Sequence, residues 1–178
     1  ERDIMKVVDE VEEIDHPRIW FVDDTFFVDK KRVKMFCDEI IKRGIKKQFM
    51  AYARADFLAE NPDNILALAY EAGFRDIMVG LEAISDEQLN EYNKNIMAIK
   101  NLHDNNLVCN ALFVVSHTST KQDFKNLIKF IRENNLLWVV FGIFTPYKGT
   151  DAYDEYKDRV IKFKSKRLDG IHITIKPE

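Results

Sequence analysis

Charged and hydroxyl side chains stand at the ends of apolar runs in this chain, and their types indicate what they could hold. Trp20 to Phe26 reads WFVDDTF, an apolar run that ends in the adjacent carboxylates Asp23 and Asp24. Side chains alternate across a strand, so at most one of the two faces whatever lies beyond the strand end. Gln48 to Ala53 runs into Arg54 and Asp56, Asp76 to Val79 into Glu82, Val108 to Val115 into Ser116 and His117, and Leu137 to Phe144 into Thr145, Pro146 and onward to Thr150. A carboxylate can hold an ammonium group or a hard cation, and a guanidinium can grip a carboxylate through two parallel hydrogen bonds.

Each of these residues also has a plainer reading. Loops after strands are solvated and cap the next helix, so any one of them could be a cap or a surface group. Asp29 and Ser85 are assigned to capping. Arg54 and Glu82 directly follow buried strands, where a charge must find a partner or a ligand, and they are read as functional. Asp24, Glu82 and His117 could instead be oxygen and nitrogen ligands of a metal in a barrel hydrolase or aldolase, although one histidine without a second at helical spacing is weak support. A non-catalytic module whose mouth only recognises a small molecule or partner is the third reading. Cys37 lies on the apolar stripe of a helix and Cys109 starts a strand, so both are read as structural; neither belongs to a C-x-x-C pair. No G-x-G-x-x-G or G-x-x-x-x-G-K-[ST] loop occurs, so a dinucleotide or P-loop phosphate cradle is excluded.

The elements that must position these groups follow from periodicity. Ile4, Val7, Val8, Val11 and Ile14 share one helical face. Val33, Phe36, Cys37, Ile40 and Ile41 form the stripe of a second helix that Asp29 caps and Gly44 ends. A third runs from Pro62, with Asn61 as its cap, to Ala72 and Gly73. Ser85 and Gln88 form a capping-box pattern for a fourth that reaches Asp104, with a break near Asn93 to Asn95. Phe124, Leu127, Ile128 and Ile131 line a fifth, and Asp151 to Val160 is a sixth. Apolar, β-prone runs alternate with these helices at about the 30-residue spacing of a βαβ unit, which predicts a parallel α/β sheet covered on both faces. In such a sheet the carboxyl ends of the strands share one edge, and that edge is where α/β folds and barrels build their sites.

Composition sets the outer limits. The 178 residues are 46% hydrophobic and 12% aromatic, enough for one domain with a substantial core. With 27 basic and 30 acidic residues the net charge is -3, which argues against a nucleic-acid binder held by phosphate neutralisation. No apolar run approaches the roughly 20 residues that span a bilayer, and no signal peptide is visible, so a cytoplasmic protein with no membrane attachment is expected.

Taken together, WFVDDTF, AYARADFL, AGFRDIMVGLEAISDEQLNEYNK and TPYKGT, in that order from Trp20 to Thr150, resemble the radical S-adenosylmethionine superfamily. The nearest likeness is to the cobalamin-associated branch that includes the anaerobic Mg-protoporphyrin ester cyclases, and the tail RLDGIHITIKP resembles the segment that follows the last strand there. The resemblance implies a partial (β/α)6 TIM-like barrel with about five of its parallel strands present, binding S-adenosylmethionine across their carboxyl ends. It implies a four-iron four-sulfur cluster that reduces S-adenosylmethionine to a 5'-deoxyadenosyl radical, a small-molecule substrate and possible association with cobalamin. By position, Asp23 or Asp24 would meet the methionine ammonium, Arg54 the methionine carboxylate or another anion, and Glu82 the ribose hydroxyls. Leu112 to Ser116 would lie against adenine, and Thr145 with Pro146 would complete the wall. Lys94, in YNK, matches a recurrent family lysine and reads equally as a solvated helix-end residue.

Two departures stand out. Where family members carry a glycine-proline turn followed by glutamate and threonine, this chain has Val115-Ser116-His117-Thr118, and the C-x-x-x-C-x-x-C cluster motif is absent. The expectation is therefore a barrel domain over 1-178 that lacks the first barrel strand and the cluster loop, with 161-178 as a post-barrel segment. Such a chain should be catalytically inactive alone, and its open edge at Ile19 to Val22 should drive self-association into dimers or larger species.

Overall fold

Helix follows strand along the chain because apolar residues recur at helical spacing between short β-prone runs. The computed structural model describes residues 2–81, 89–161 and 170–176. Within them the order is α1 (Ile4–Glu13), β1 (Arg18–Trp20), α2 (Lys30–Lys42), β2 (Gln48–Ala53), α3 (Ala55–Glu60), α4 (Ile65–Ala72), β3 (Phe74–Gly80), α5 (Leu89–Asp104), β4 (Val108–Val115), α6 (Lys121–Glu133), β5 (Trp138–Ile143) and α7 (Asp151–Tyr156). The strands form one parallel sheet in the order β1-β2-β3-β4-β5, so each crossover leads to the next neighbour and the sheet is an open part of a barrel.

Helix ends obey local chemistry. Asp3 caps α1 through Met5 N, and Asp29 accepts hydrogen bonds from Lys31 N and Arg32 N at the start of α2. Thr120 and Asp123 close a reciprocal capping box on α6. Gly73 ends α4 at φ +115°, and a Cβ there would lie 2.3 Å from the Lys47 carbonyl oxygen, so only glycine fits. Arg43 locks α1 to α2, reaching Asp9 Oδ1 at 2.7 Å and Glu12 Oε2 at 2.9 Å while its Nε bonds Glu39.

One core lies between the sheet and the helices. Phe49, Ala51, Ile77, Val79, Cys109, Ala111 and Phe113 point into it from the strands, and Phe36, Ile40, Leu58, Leu66, Leu102, Leu127 and Phe130 meet them from the helices. Phe74, fully buried, stands at the centre of an aromatic group with Phe26, Phe27, Phe36 and Phe49 at centroid distances of 5.1 to 5.9 Å.

The expectation of a sheet covered on both faces is corrected. Only the helix side is packed. The opposite, concave face carries Trp20, Met50, Met78, Trp138 and Val140 and opens as a groove of about 490 Å³, with Asp76 and the buried Asn110 at its centre. A closed barrel would fill this lumen with side chains from its remaining strands, and five strands do not curve far enough to do so. Four local readings change as well. The first strand is shorter than Ile19 to Val22, ending at Trp20. An extra helix, α3, precedes Pro62, which opens a single 3-10 turn before α4 rather than the helix itself. The helix through Asn93 to Asn95 is unbroken in α5, and α7 stops at Tyr156, short of Val160. Phe124 and Ile128 on the α6 stripe remain 44% and 50% exposed, so that stripe is buried only at Leu127 and Phe130 and half-buried at Ile131.

Candidate functional site

The carboxyl ends of five parallel strands share one edge, and the site is built by what each strand delivers there. After β1 the chain leaves the sheet, so Asp23 and Asp24 sit on an exposed bend and not on alternate sides of a strand. Pairing resumes where Phe26 N donates to Tyr52 O at 3.0 Å and Phe27 bridges Ala53. Phe21 and Phe26 flank the bend and stack at 4.6 Å, and both rings join the aromatic core. The two carboxylates are thus presented to solvent by a turn whose ends are anchored. The field of Asp23 reaches Arg2, whose guanidinium is held charged chiefly by its hydrogen bond to Glu10.

Arg54 follows β2 and precedes α3. Its Nε lies 3.1 Å from both oxygens of Asp56 and its Nη2 lies 2.7 Å from Oδ2, a two-pronged pair at the strand end. Asp56 also accepts from Phe57 N at 2.8 Å. The Arg54 hydrogen bonds hold the Asp56 carboxyl below its ordinary range, with the Phe57 N–H and the charges of Arg54 and Lys94 acting in the same sense. Lys94, on α5, therefore belongs electrostatically to this corner. The charge on Arg54 finds its protein partner two residues away, a pairing that residue order alone did not reveal.

Glu82, with Ser85 and Gln88, lies outside the described residues. Leu81 just before it is buried, and its N–H donates to Leu112 O at 2.9 Å, holding β3 to β4 up to the strand end.

After β4 the chain turns on its own side chains. Ser116 N donates to Ser119 Oγ at 3.1 Å, and Ser116 Oγ meets Thr118 Oγ1 at 3.1 Å. The His117 ring packs edge-on against Tyr156 at 4.9 Å and lies 6.2 Å from Phe144, so it joins the ends of β4 and β5 to α7. That aromatic setting is unlike a metal ligand's, and no group of three His, Cys, Asp or Glu able to hold a metal occurs among the described residues. Thr145 is buried, with Oγ1 donating to Ile143 O at 3.0 Å, and Pro146 beside it is buried too. Sequence reading missed the His117–Phe144–Tyr156 contact, since aromatic residues 27 and 12 positions apart carry no periodic signal. The tail returns to the same edge: Ile143 N donates to Gly170 O and Ile161 N to Thr174 O, with Val160 bridging Ile175 antiparallel.

Cys37 and Cys109 are both buried on the helix side of the sheet, and burial pushes both thiols up to about 12. Their structural assignment holds.

No protein-family model matches the chain. Over 99% of its length it is 28% identical to the anaerobic magnesium-protoporphyrin IX monomethyl ester cyclase of Rubrivivax gelatinosus, covering 34% of that protein. Over 89% of its length it is 27% identical to the bacteriochlorophyllide d C-8(2)-methyltransferase of Chlorobaculum tepidum, covering 37% of it. The chain thus spans about a third of the length of the curated relatives it matches. Its fold matches the cobalamin-dependent S-adenosylmethionine radical enzyme OxsB with a TM-score of 0.61 at 20% identity, across 87% of this chain and 24% of that one.

Proposed function

We propose, from the kinship with radical S-adenosylmethionine enzymes that these comparisons bear out, that the chain is the S-adenosylmethionine-binding core of such an enzyme, an oxidoreductase or methyltransferase in complete form. One observation carries this reading: the segment that aligns almost end to end with an anaerobic cyclase and a bacteriochlorophyllide methyltransferase also folds like an S-adenosylmethionine radical enzyme. It is favoured over a metal-dependent hydrolase or aldolase, whose proposed ligand His117 is packed among aromatic rings.

The residues at the sheet edge suit S-adenosylmethionine. A carboxylate on the anchored bend, Asp23 or Asp24, would hold the methionine ammonium, and Arg54 the methionine carboxylate. Glu82 would accept from the ribose hydroxyls. Ser116, Thr145 and Pro146 would bound the adenine side, where the buried Thr145–Pro146 step gives an apolar wall. When bound beside a reduced four-iron four-sulfur cluster, S-adenosylmethionine supplies a 5'-deoxyadenosyl radical that removes a hydrogen atom from substrate. The residues of this chain do not fit the cluster itself. Both cysteines are buried away from the strand-end edge with thiols near 12, and a cluster needs thiolates. We therefore assign the cluster ligands, and any cobalamin domain, to parts of the protein beyond these residues.

The substrate is read as a small molecule rather than nucleic acid, and the setting as cytoplasmic. Among the described residues no helix is long and apolar enough to cross a membrane. The test is anaerobic reconstitution of the protein at its natural length. Release of 5'-deoxyadenosine from S-adenosylmethionine under reduction is expected, and none from the 178 residues alone. A natural-length protein that neither binds S-adenosylmethionine nor releases 5'-deoxyadenosine overturns the reading.

A further inference from the structure

The concave groove is apolar except at its centre. Its walls include the indoles of Trp20 and Trp138 and the thioethers of Met50 and Met78, while its centre holds Asp76, half-buried, and Asn110, only 8% exposed. Asn110 Nδ2 reaches Asp76 Oδ1 at 3.4 Å and Met50 Sδ at 3.9 Å, contacts at the long limit of hydrogen bonding. The carbonyl oxygen of Asn110 and the second oxygen of Asp76 meet no side-chain donor among the described residues. Arg18, the one cation on the lining, gives its Nε to Gln48 Oε1 at 3.1 Å. The centre of the groove therefore offers acceptors that lack donors. Covering it with apolar side chains alone would leave both groups unmet, which is unfavourable for a carboxylate in an apolar setting. A protonated nitrogen satisfies them, since it brings a charge and up to three donors, and an indole face beside it adds cation–π attraction. Asp76 is the third residue of β3 and Gly80 the last, so about 13 Å of strand, at about 3.3 Å per residue, separates this centre from the carboxyl edge.

We infer that the concave groove seats the substrate, and that the substrate is an apolar, ring-bearing molecule with a protonated nitrogen. Asp76 and Asn110 hold the nitrogen, and the indoles and thioethers line the body of the molecule. This rests on the S-adenosylmethionine reading above, which places that cofactor at the carboxyl edge.

The experiment is titration calorimetry on the natural-length protein with biphenylmethylamine, protonated at neutral pH, and biphenylcarboxylate as its anionic counterpart, each with and without S-adenosylmethionine. The amine should bind about tenfold or more tightly than the carboxylate, the usual worth of a hydrogen bond to a charged group, and should bind equally well with S-adenosylmethionine present. Asp76→Asn should reduce that preference to within about threefold. Trp138→Ala should weaken both probes in parallel; its side chain is 67% exposed, so the fold should survive, with circular dichroism as the check. If neither probe binds, if both bind alike, or if Asp76→Asn leaves the preference intact, the groove assignment is wrong, and release of 5'-deoxyadenosine by the same protein shows that the S-adenosylmethionine reading still stands. If the amine displaces S-adenosylmethionine, the cation site is the cofactor's own and the inference falls. A protein that takes the amine but not S-adenosylmethionine overturns the substrate role together with the reading beneath it.

Discussion

Asp23 and Asp24 are neighbours on one exposed bend. We propose that one of the two holds the methionine ammonium. One of Asp23→Asn and Asp24→Asn should weaken S-adenosylmethionine binding about tenfold, measured by titration calorimetry, because a hydrogen bond to a charged group is worth about 1.5–3 kcal/mol; two variants that both bind as wild type would refute the assignment. The two thiols provide a second check on single residues. Buried and held near 12, Cys37 and Cys109 should resist iodoacetamide at pH 8 in the folded protein and react fully in denaturant, as mass spectrometry would show. Since their folded values exceed the ordinary 9.0, the stability linked to them is complete below about pH 9 and is lost as pH climbs through about 12. Alkaline unfolding in that window, followed by circular dichroism, checks the sign.

At the scale of elements, the aromatic group around Phe74 links the functional bend to the core. Phe74→Ala should destabilise the fold by about 3–5 kcal/mol, the range for emptying a buried aromatic site, and should also loosen the bend that carries Asp23 and Asp24, because Phe26 packs on Phe74 at 5.4 Å. Thr120→Ala removes one half of the α6 capping box and should cost about 1 kcal/mol in denaturant unfolding. Periodicity and capping residues made most of this legible in advance: Asp29, Gly44 and Gly73 mark helix ends where they were expected, and β2 and β4 keep their predicted bounds. The misses have physical reasons. The α3 helix is one and a half turns long, too short to show a stripe, and the α5 asparagines are tolerated because tertiary packing outweighs propensity. Uniformly apolar strands gave no hint that one face would stay open, since a barrel lumen and a helix-covered face select the same residue types. At the edge, the positions of Arg54, Ser116 and Thr145 could be read from the ends of apolar runs; the Asp56 pairing and the His117 aromatic contact could not, because both depend on side-chain geometry.

On the scale of the whole molecule, exposed apolar surface governs behaviour in solution. The only two tryptophans, Trp20 and Trp138, are 48% and 67% exposed on the concave face, and among the described residues β1 leaves an unpaired edge. We propose self-association through that edge. Light scattering should show mass rising with concentration, and acrylamide quenching of tryptophan should fall in parallel; a constant monomer mass would refute the proposal. The two borders of the sheet are not equivalent, however. Beside β5 the returning tail places the Gly170 carbonyl on Ile143 N and Thr174 on Phe144 O, so the upper part of that border is taken. Stacking β1 of one copy onto β5 of the next would need this border clear along its length, and such a head-to-tail contact would propagate without end. Joining β1 to β1 would meet no such obstacle among the described residues and would exhaust both sticky borders at once. In the proposed association the tail would act as a stopper on polymer growth, leaving a two-fold, self-limiting pair.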